Sequence, residues 1–131
     1  MGRYSHVGSN NVNLLEPLGQ FGTRLQGGKD HAAPRYIFTR LSEMARLIFH
    51  PLDDAVVNYR NEEGMSIEPD WYVPIVPMVL VNGGEGIGTG WSCFVFNYCL
   101  GDVVANLLRK VEGGEFEDMV PWYRGFKGVI E

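Results

Sequence analysis

Apolar and polar positions divide this chain into segments of different period. Over the first thirty residues the apolar pieces are short, as in Val12–Leu15. Gly8, Asn10, Asn11, Asn13, Gly19, Gly22, Gly27 and Gly28 separate them. No helical period runs through this stretch, so turns and short strands are predicted. Pro34 breaks the chain and the pattern changes. Ile37, Leu41, Met44, Ala45 and Ile48 share one helical face, with Arg40, Glu43 and Arg46 elsewhere. The spacing predicts that Tyr36–Thr39 leads into a helix, which Pro51 stops.

Residues 53–70 are acidic and turn-like, and a subdomain boundary is placed near residue 60. Trp71–Val81, WYVPIVPMVLV, reads as a buried apolar stretch. Pro74 and Pro77 exclude a central ladder strand at their positions, which predicts an extended edge segment becoming a strand over Met78–Val81. The glycine-rich Asn82–Gly90 follows as a hairpin. Val103, Val104, Leu107, Leu108 and Val111 share a face over Asp102–Val111, predicting a second helix that Gly113–Gly114 end. Pro121–Glu131 reads as a turn entering a strand, and no internal repeat is visible.

Composition narrows the class. With 131 residues and 45% hydrophobic content the chain reads as soluble and globular, not as a disordered tail. A compact chain of this length is expected to bury about two-thirds of its unfolded surface. The net charge of −5 argues against a nucleic-acid binder when read whole. Split, it reads differently. Residues 1–50 hold six basic residues against three acids, a net of +3, and residues 51–131 hold five against thirteen, a net of −8. The asymmetry suggests a phosphate-facing first part, against the plainer alternative of solvated surface. Cys93 and Cys99 form no CxxC pair and so give little support to zinc or redox chemistry; they read as reduced thiols of a cytosolic or nuclear protein. No apolar run is long enough to cross a membrane, and Met1–His6 lack the apolar core of a secretory signal.

Two segments could carry chemistry. NGGEGIGTG, residues 82–90, fails the GxGxxG spacing and lacks the Lys of a phosphate-binding P-loop. It places Ile87 on a hairpin among glycines. Either the side chain folds inward at a structural turn, or it is presented as an apolar wedge, such as a residue pushed between base pairs. In GGKDHAAPRYIF, Lys29, His31 and Arg35 cluster near Tyr36 ahead of the predicted helix. A tyrosine phenol ionises near pH 10, so the phenolate costs about 4 kcal/mol at neutral pH. An adjacent guanidinium lowers that cost and neutralises a pentavalent phosphorane. The alternative is an ordinary half-buried tyrosine.

QFGTRLQGGKDHAAPRYIFTRL, then WYVPIVPMVLVNGGEGIGTGW, then WYRGFKG, resemble in order and separation the DNA breakage-reunion region of the eukaryotic-type type IIA DNA topoisomerases. The resemblance runs from about Val7 to Glu131. A more distant one, to the DNA gyrase A subunit, lies in the RY dipeptide and the VNG…GI…G hairpin. The resemblance implies an α+β fold: the end of a winged-helix, catabolite-activator-like domain over residues 7–60, then the start of a tower domain over 61–131. It implies that Tyr36 is the nucleophile of a 5′-phosphotyrosyl ester, that Arg35 assists at the scissile phosphate and that Ile87 intercalates and bends DNA. Arg24, Lys29 and His31 match the DNA-facing stretch as backbone contacts. It further implies a nuclear, homodimeric, ATP-dependent enzyme passing one duplex through another, with double-stranded DNA as partner and no membrane. Mg²⁺ and ATP would be bound by domains for which 131 residues have no room, leaving none for this segment and the segment alone inactive.

Two departures accompany the resemblance. Met1–His6 form an unmatched extension. Phe94–Asp102 carries neither the Ile-Pro nor the Pro-Arg-Glu-like helix start usual in the family, which leaves the start of the second helix open. A non-catalytic truncated relic that binds DNA or the intact enzyme stays as an alternative. A glycine-loop nucleotide-binding enzyme is disfavoured by the failed motifs.

Overall fold

In the computed structural model, residues 10–130 are described, so the extension Met1–His6 lies outside them. The described residues build three antiparallel strand pairs and three α-helices, a mixed α/β architecture in which no strand pair among them joins another. β1 (Leu15–Leu18) pairs with β2 (Phe38–Leu41), Leu15 opposite Leu41 and Leu18 opposite Phe38. Here the predicted helix is corrected. Ile37 and Leu41 fit a helical face by spacing, yet Phe38–Leu41 is a strand because β1, some twenty residues upstream, supplies its ladder partner. Only Glu43–Ile48 (α1) is α-helical, with Ala45 and Ile48 buried. Ser42 closes the junction, its Oγ donating to the Asn13 carbonyl at 2.8 Å and its N–H to the Leu14 carbonyl at 2.9 Å.

The acidic stretch after Pro51 holds a short 3₁₀ segment (Pro51–Ala55) and then a hairpin that its turn-like composition hid. β3 (Tyr59–Glu62) pairs with β4 (Met65–Pro69), so the boundary placed near residue 60 falls inside a strand. Glu63 and Gly64 form its two-residue turn with φ of 52° and 83°. Positive φ at both central residues is the turn that matches the twist of paired strands.

Met78–Asn82 is a short helix, α2, and not the predicted strand. Its β-branched composition favours a strand, but the Leu80 N–H donates to the Pro77 carbonyl and closes a helical turn directly behind the proline. Val76 and Val81 are buried, whereas Trp71, Tyr72, Val73 and Ile75 are exposed, so Trp71–Val81 is a buried stretch only in part. β5 (Gly84–Gly88) and β6 (Trp91–Val95) form the third hairpin. α3 (Leu100–Val111) matches the predicted second helix and begins two residues earlier, after Cys99, without the missing prolines. Asp102 in its first turn and Arg109 and Lys110 in its last complement the helix dipole. The Gly114 N–H donates to the Arg109 carbonyl and the Gly113 N–H to that of Lys110, the paired bonds that satisfy a helix C-terminus. Of the predicted apolar face of α3, Val103 is 2% exposed while Leu108 and Val111 are open. The predicted C-terminal strand is absent among the described residues.

Burial explains why local patterns mislead here. The structure exposes 10,706 Å², against roughly 6,900 Å² for a compact monomer of 14.7 kDa. Among the described residues the buried hydrophobics are Phe21, Ala45, Ile48, Val76, Val81 and Val103. The compact core expected from length and composition is therefore not formed by these residues alone. Polar ties hold the parts together instead. Asn82 brackets the Val12 backbone, accepting from its N–H at 2.8 Å and donating to its carbonyl at 3.1 Å. Asn106, buried on α3, donates to the Glu117 carbonyl at 3.0 Å and accepts its N–H at 2.7 Å.

Candidate functional site

Tyr36 ends a one-turn 3₁₀ segment, Pro34–Tyr36. Proline pre-sets the first residue of that turn, and the Tyr36 N–H donates to the Ala33 carbonyl at 2.9 Å. The turn leaves the side chain 67% exposed, so the half-buried alternative does not hold. The guanidinium carbon of Arg35 lies 5.0 Å from the centroid of the Tyr36 ring. Cation and phenol thus face the same space.

Ahead of them, residues 24–30 run as continuous turns. Asp30 organises that loop: its carboxylate accepts the Thr23 N–H at 2.8 Å, and Gln20 donates to its carbonyl oxygen at 3.2 Å. The Thr23 N–H holds the Asp30 carboxyl below the usual aspartate value. Gly22, at φ +98°, lies against Gly28, and a Cβ there would meet the Gly28 Cα at 2.6 Å. The Gly28 N–H donates to the Thr23 carbonyl at 2.9 Å, and the Ala32 N–H to the Gln20 carbonyl at 2.9 Å. The loop is so closed on its own backbone, with Arg24 and Lys29 exposed on it. His31 Nδ1 lies 2.9 Å from the Ala32 carbonyl oxygen, which fixes the ring against the loop. Gly19 packs against Ile37, the residue after Tyr36, and so couples loop and tyrosine.

Charge pairing sorts the cations. Arg40 pairs with Glu16 at 2.5 Å, Arg46 with Asp54 at 2.8 Å and Arg60 with Glu68 at 3.3 Å; Arg109 pairs with Glu117, and Lys110 with Glu115 at 3.4 Å. Among the described residues, Arg24, Lys29, Arg35, Arg124 and Lys127 enter no ion pair. Three of these five were singled out from the sequence. Arg124 and Lys127 were not, although both stand in the WYRGFKG motif.

Ile87 lies on β5 opposite Ser92 and is 73% exposed, one pair short of the turn rather than at its tip. The inward-folded alternative fails on that exposure. Its neighbours Gly86 and Gly88 belong to the opposite face of the ribbon, as strand alternation requires. On Ile87's own face its diagonal neighbour is Phe94, whose ring meets Phe96 edge-on at 5.1 Å. The structure therefore joins Arg35 to Tyr36, and Arg24, Lys29 and His31 to one loop, while Ile87 stands on a separate element. Among the described residues no group of three His, Cys, Asp or Glu could hold a metal ion.

These features match known proteins along the whole chain. A family model for the A subunit of DNA gyrase/topoisomerase IV matches residues 1–131. DNA topoisomerase 2 of Arabidopsis thaliana is 60% identical over 126 residues, 96% of this chain and 9% of its own length. Human DNA topoisomerase 2-alpha is 57% identical over 125 residues, covering 95% of this chain and 8% of its length. The crystal structure of the Plasmodium falciparum topoisomerase II DNA-binding, cleavage and re-ligation domain superposes with a TM-score of 0.78 at 52% identity, covering 98% of this chain and 18% of that one. This chain spans less than a tenth of the length of these full relatives. Matched over its whole length, the chain belongs to the family of the DNA gyrase/topoisomerase IV A subunit.

Proposed function

We propose that this chain is the DNA-binding and cleavage segment of an ATP-dependent type II DNA topoisomerase. The observation that carries the reading is the Arg35–Tyr36 pair: an exposed phenol under a guanidinium 5.0 Å from its ring, behind a loop whose Arg24 and Lys29 have no carboxylate partner. The Tyr36 Oη attacks the DNA phosphorus, an O–P bond forms, and the bond to the 3′ oxygen breaks. The phenolic proton is lost and the leaving oxygen gains one, giving a 5′-phosphotyrosyl ester and a 3′ hydroxyl. Arg35 offsets the charge of the phosphorane. The phosphodiester's energy stays in the covalent link, so resealing needs no activated cofactor.

Arg24, Lys29 and His31 contact the DNA backbone, and Ile87 enters the stack and bends the duplex. Bending a site of this kind costs on the order of 1–10 kcal/mol, and an exposed apolar wedge helps hold the bend. We assign the residues before the β3–β4 hairpin to a partial winged-helix domain and those after it to a partial tower domain of a homodimeric nuclear enzyme. Magnesium and ATP belong to regions outside this chain, and the segment alone is inactive.

The test supplies the chain with the metal-binding region of a relative, supercoiled DNA and Mg²⁺. A denaturation-resistant adduct linked to the 5′ end is expected, and Tyr36→Phe abolishes it. An adduct that persists in that variant excludes Tyr36 as nucleophile. One formed by the chain unaided overturns the division of labour proposed here.

A further inference from the structure

We infer that Arg124 and Lys127 form a second phosphate clamp, gripping the DNA backbone beside the bend that Ile87 makes. The inference rests on the reading of Ile87 given above and extends the DNA surface into the acidic half of the chain.

The first support is electrostatic. Residues 51–131 carry thirteen acids against five basic residues. In such an excess a cation without a carboxylate partner is unexpected unless something else uses it. Arg60, Arg109 and Lys110 are each paired. Arg109 and Lys110 also draw Glu117 and Glu115, which precede the turn in sequence, onto α3 and away from it. Arg124 and Lys127 are left exposed and unpaired, Arg124 on a turn that the Phe126 N–H closes by donating to the Tyr123 carbonyl at 3.1 Å and Lys127 directly after it.

The second support is position. The Trp122 N–H donates to the Asn97 carbonyl at 2.9 Å, and Asn97 donates through Nδ2 to the Val81 carbonyl at 3.2 Å. Asn97 stands two residues beyond Val95, which pairs with Gly84 at the foot of the Ile87 hairpin. The cationic turn is thus fastened to that foot. At about 3.3 Å per strand residue, Ser92, opposite Ile87, lies about 10 Å along β6 from Val95, which stands two residues before Asn97. At about 3.4 Å per nucleotide along one strand, that length is about three base pairs. Tyr123 and Phe126 meet edge-on with centroids 6.4 Å apart and stiffen the turn between the two cations. A bent duplex concentrates phosphates on its inner side, and two cations tethered at the foot of the hairpin supply the neutralisation an uncharged wedge cannot.

The experiment uses the full 131-residue chain and a 30-base-pair duplex carrying 2-aminopurine at a flexible pyrimidine–purine step. Affinity is read by anisotropy between 50 and 200 mM salt, and unstacking by fluorescence at saturation. Arg124→Ala and Lys127→Ala are each expected to lower the slope of log K against log salt by about 0.9. The loss of affinity across that range then shrinks about 3.5-fold per residue. Arg124→Lys and Lys127→Arg restore the slope, the 2-aminopurine signal at saturation stays, and Arg60→Ala, which removes a paired cation, leaves the slope in place. Ile87→Ala does the reverse, losing unstacking and keeping the slope. If the double alanine variant keeps the wild-type slope while Ile87→Ala loses unstacking, the clamp is wrong and the wedge stands. If Arg60→Ala lowers the slope equally, the effect is net charge and the clamp is overturned. If the wild-type chain does not unstack the step at all, the reading of Ile87 fails and the clamp fails with it.

Discussion

The loop ahead of Tyr36 and the hairpin that carries Ile87 both present side chains to solvent, yet by opposite means. In the loop the backbone is crowded: Gly22 sits on Gly28, Asp30 takes up the Thr23 N–H, and Ala32 is bonded back to Gln20. In the hairpin the ribbon is bare. Nothing lies within 4 Å of a Cβ built on Gly86, and Ile87 is open. The difference fits the roles proposed for each. As the proposed nucleophile and its guanidinium, Tyr36 and Arg35 need fixed geometry, because small misplacements cost large factors in rate. As the proposed wedge, Ile87 needs only to protrude and to leave room for what it enters.

Alanine in place of glycine breaks this comparison most sharply. Gly22→Ala puts a Cβ at 2.6 Å from the Gly28 backbone and in a left-handed conformation. A destabilisation of roughly 2–5 kcal/mol is expected, the sum of left-handed strain and overpacking. Thermal unfolding and protease cutting within residues 22–30 measure it, and an unchanged melting temperature would mean that the loop is not held as described. Gly86→Ala meets no atom and carries no left-handed φ. Its stability should stay within about 0.5 kcal/mol of wild type or rise slightly.

The loop is also sensitive to acid where the hairpin is not. Asp30 is exposed, and its folded value is depressed chiefly by the Thr23 N–H. A depressed folded value means that the contribution is fully present above the ordinary aspartate value, near about 3.9, and is lost as pH falls through the lower folded one. Amide exchange at Thr23 should therefore accelerate as pH drops below about 4, beyond the intrinsic pH dependence of exchange, and Asp30→Asn should flatten that change. Acceleration of the same size at Ile87 would show a global transition instead.

The same contrast decides what could be read from residues alone. The backbone under the candidate residues was legible because it sits in local motifs: Pro34 sets the turn of Tyr36, and Gly88–Trp91 closes the Ile87 ribbon. α3 was legible because its period and its caps, Asp102 and Gly113, are local too. Phe38–Leu41 was not, because its spacing fits a helix and only the distant Leu15–Leu18 makes it a strand. Val79 and Val81 favour a strand, but Pro77 offers its carbonyl to Leu80 and closes a helix. Burial was least legible. Trp71 and Leu108 look like core by composition, yet burial depends on what lies opposite, and both stay open within these residues. Arg124 and Lys127 went unnoticed because charge counts do not say which acids are already engaged.

The β3–β4 hairpin supplies the remaining control, a ribbon outside both cationic clusters. Glu63 is the one non-glycine among the described residues at positive φ, at 52°, in a two-residue turn completed by Gly64. An L side chain suffers strain there that asparagine largely escapes, so Glu63→Asn should stabilise the chain by up to about 1 kcal/mol. Urea unfolding would register the gain as a higher midpoint at unchanged slope. DNA affinity should move only by the small, diffuse effect of one acid fewer, with no change in 2-aminopurine unstacking. Stability rising without unstacking at this turn, and unstacking lost without stability at Ile87, would separate a hairpin that serves the fold from one that serves the ligand. If Glu63→Asn altered unstacking as Ile87→Ala does, the two ribbons could not be assigned different roles.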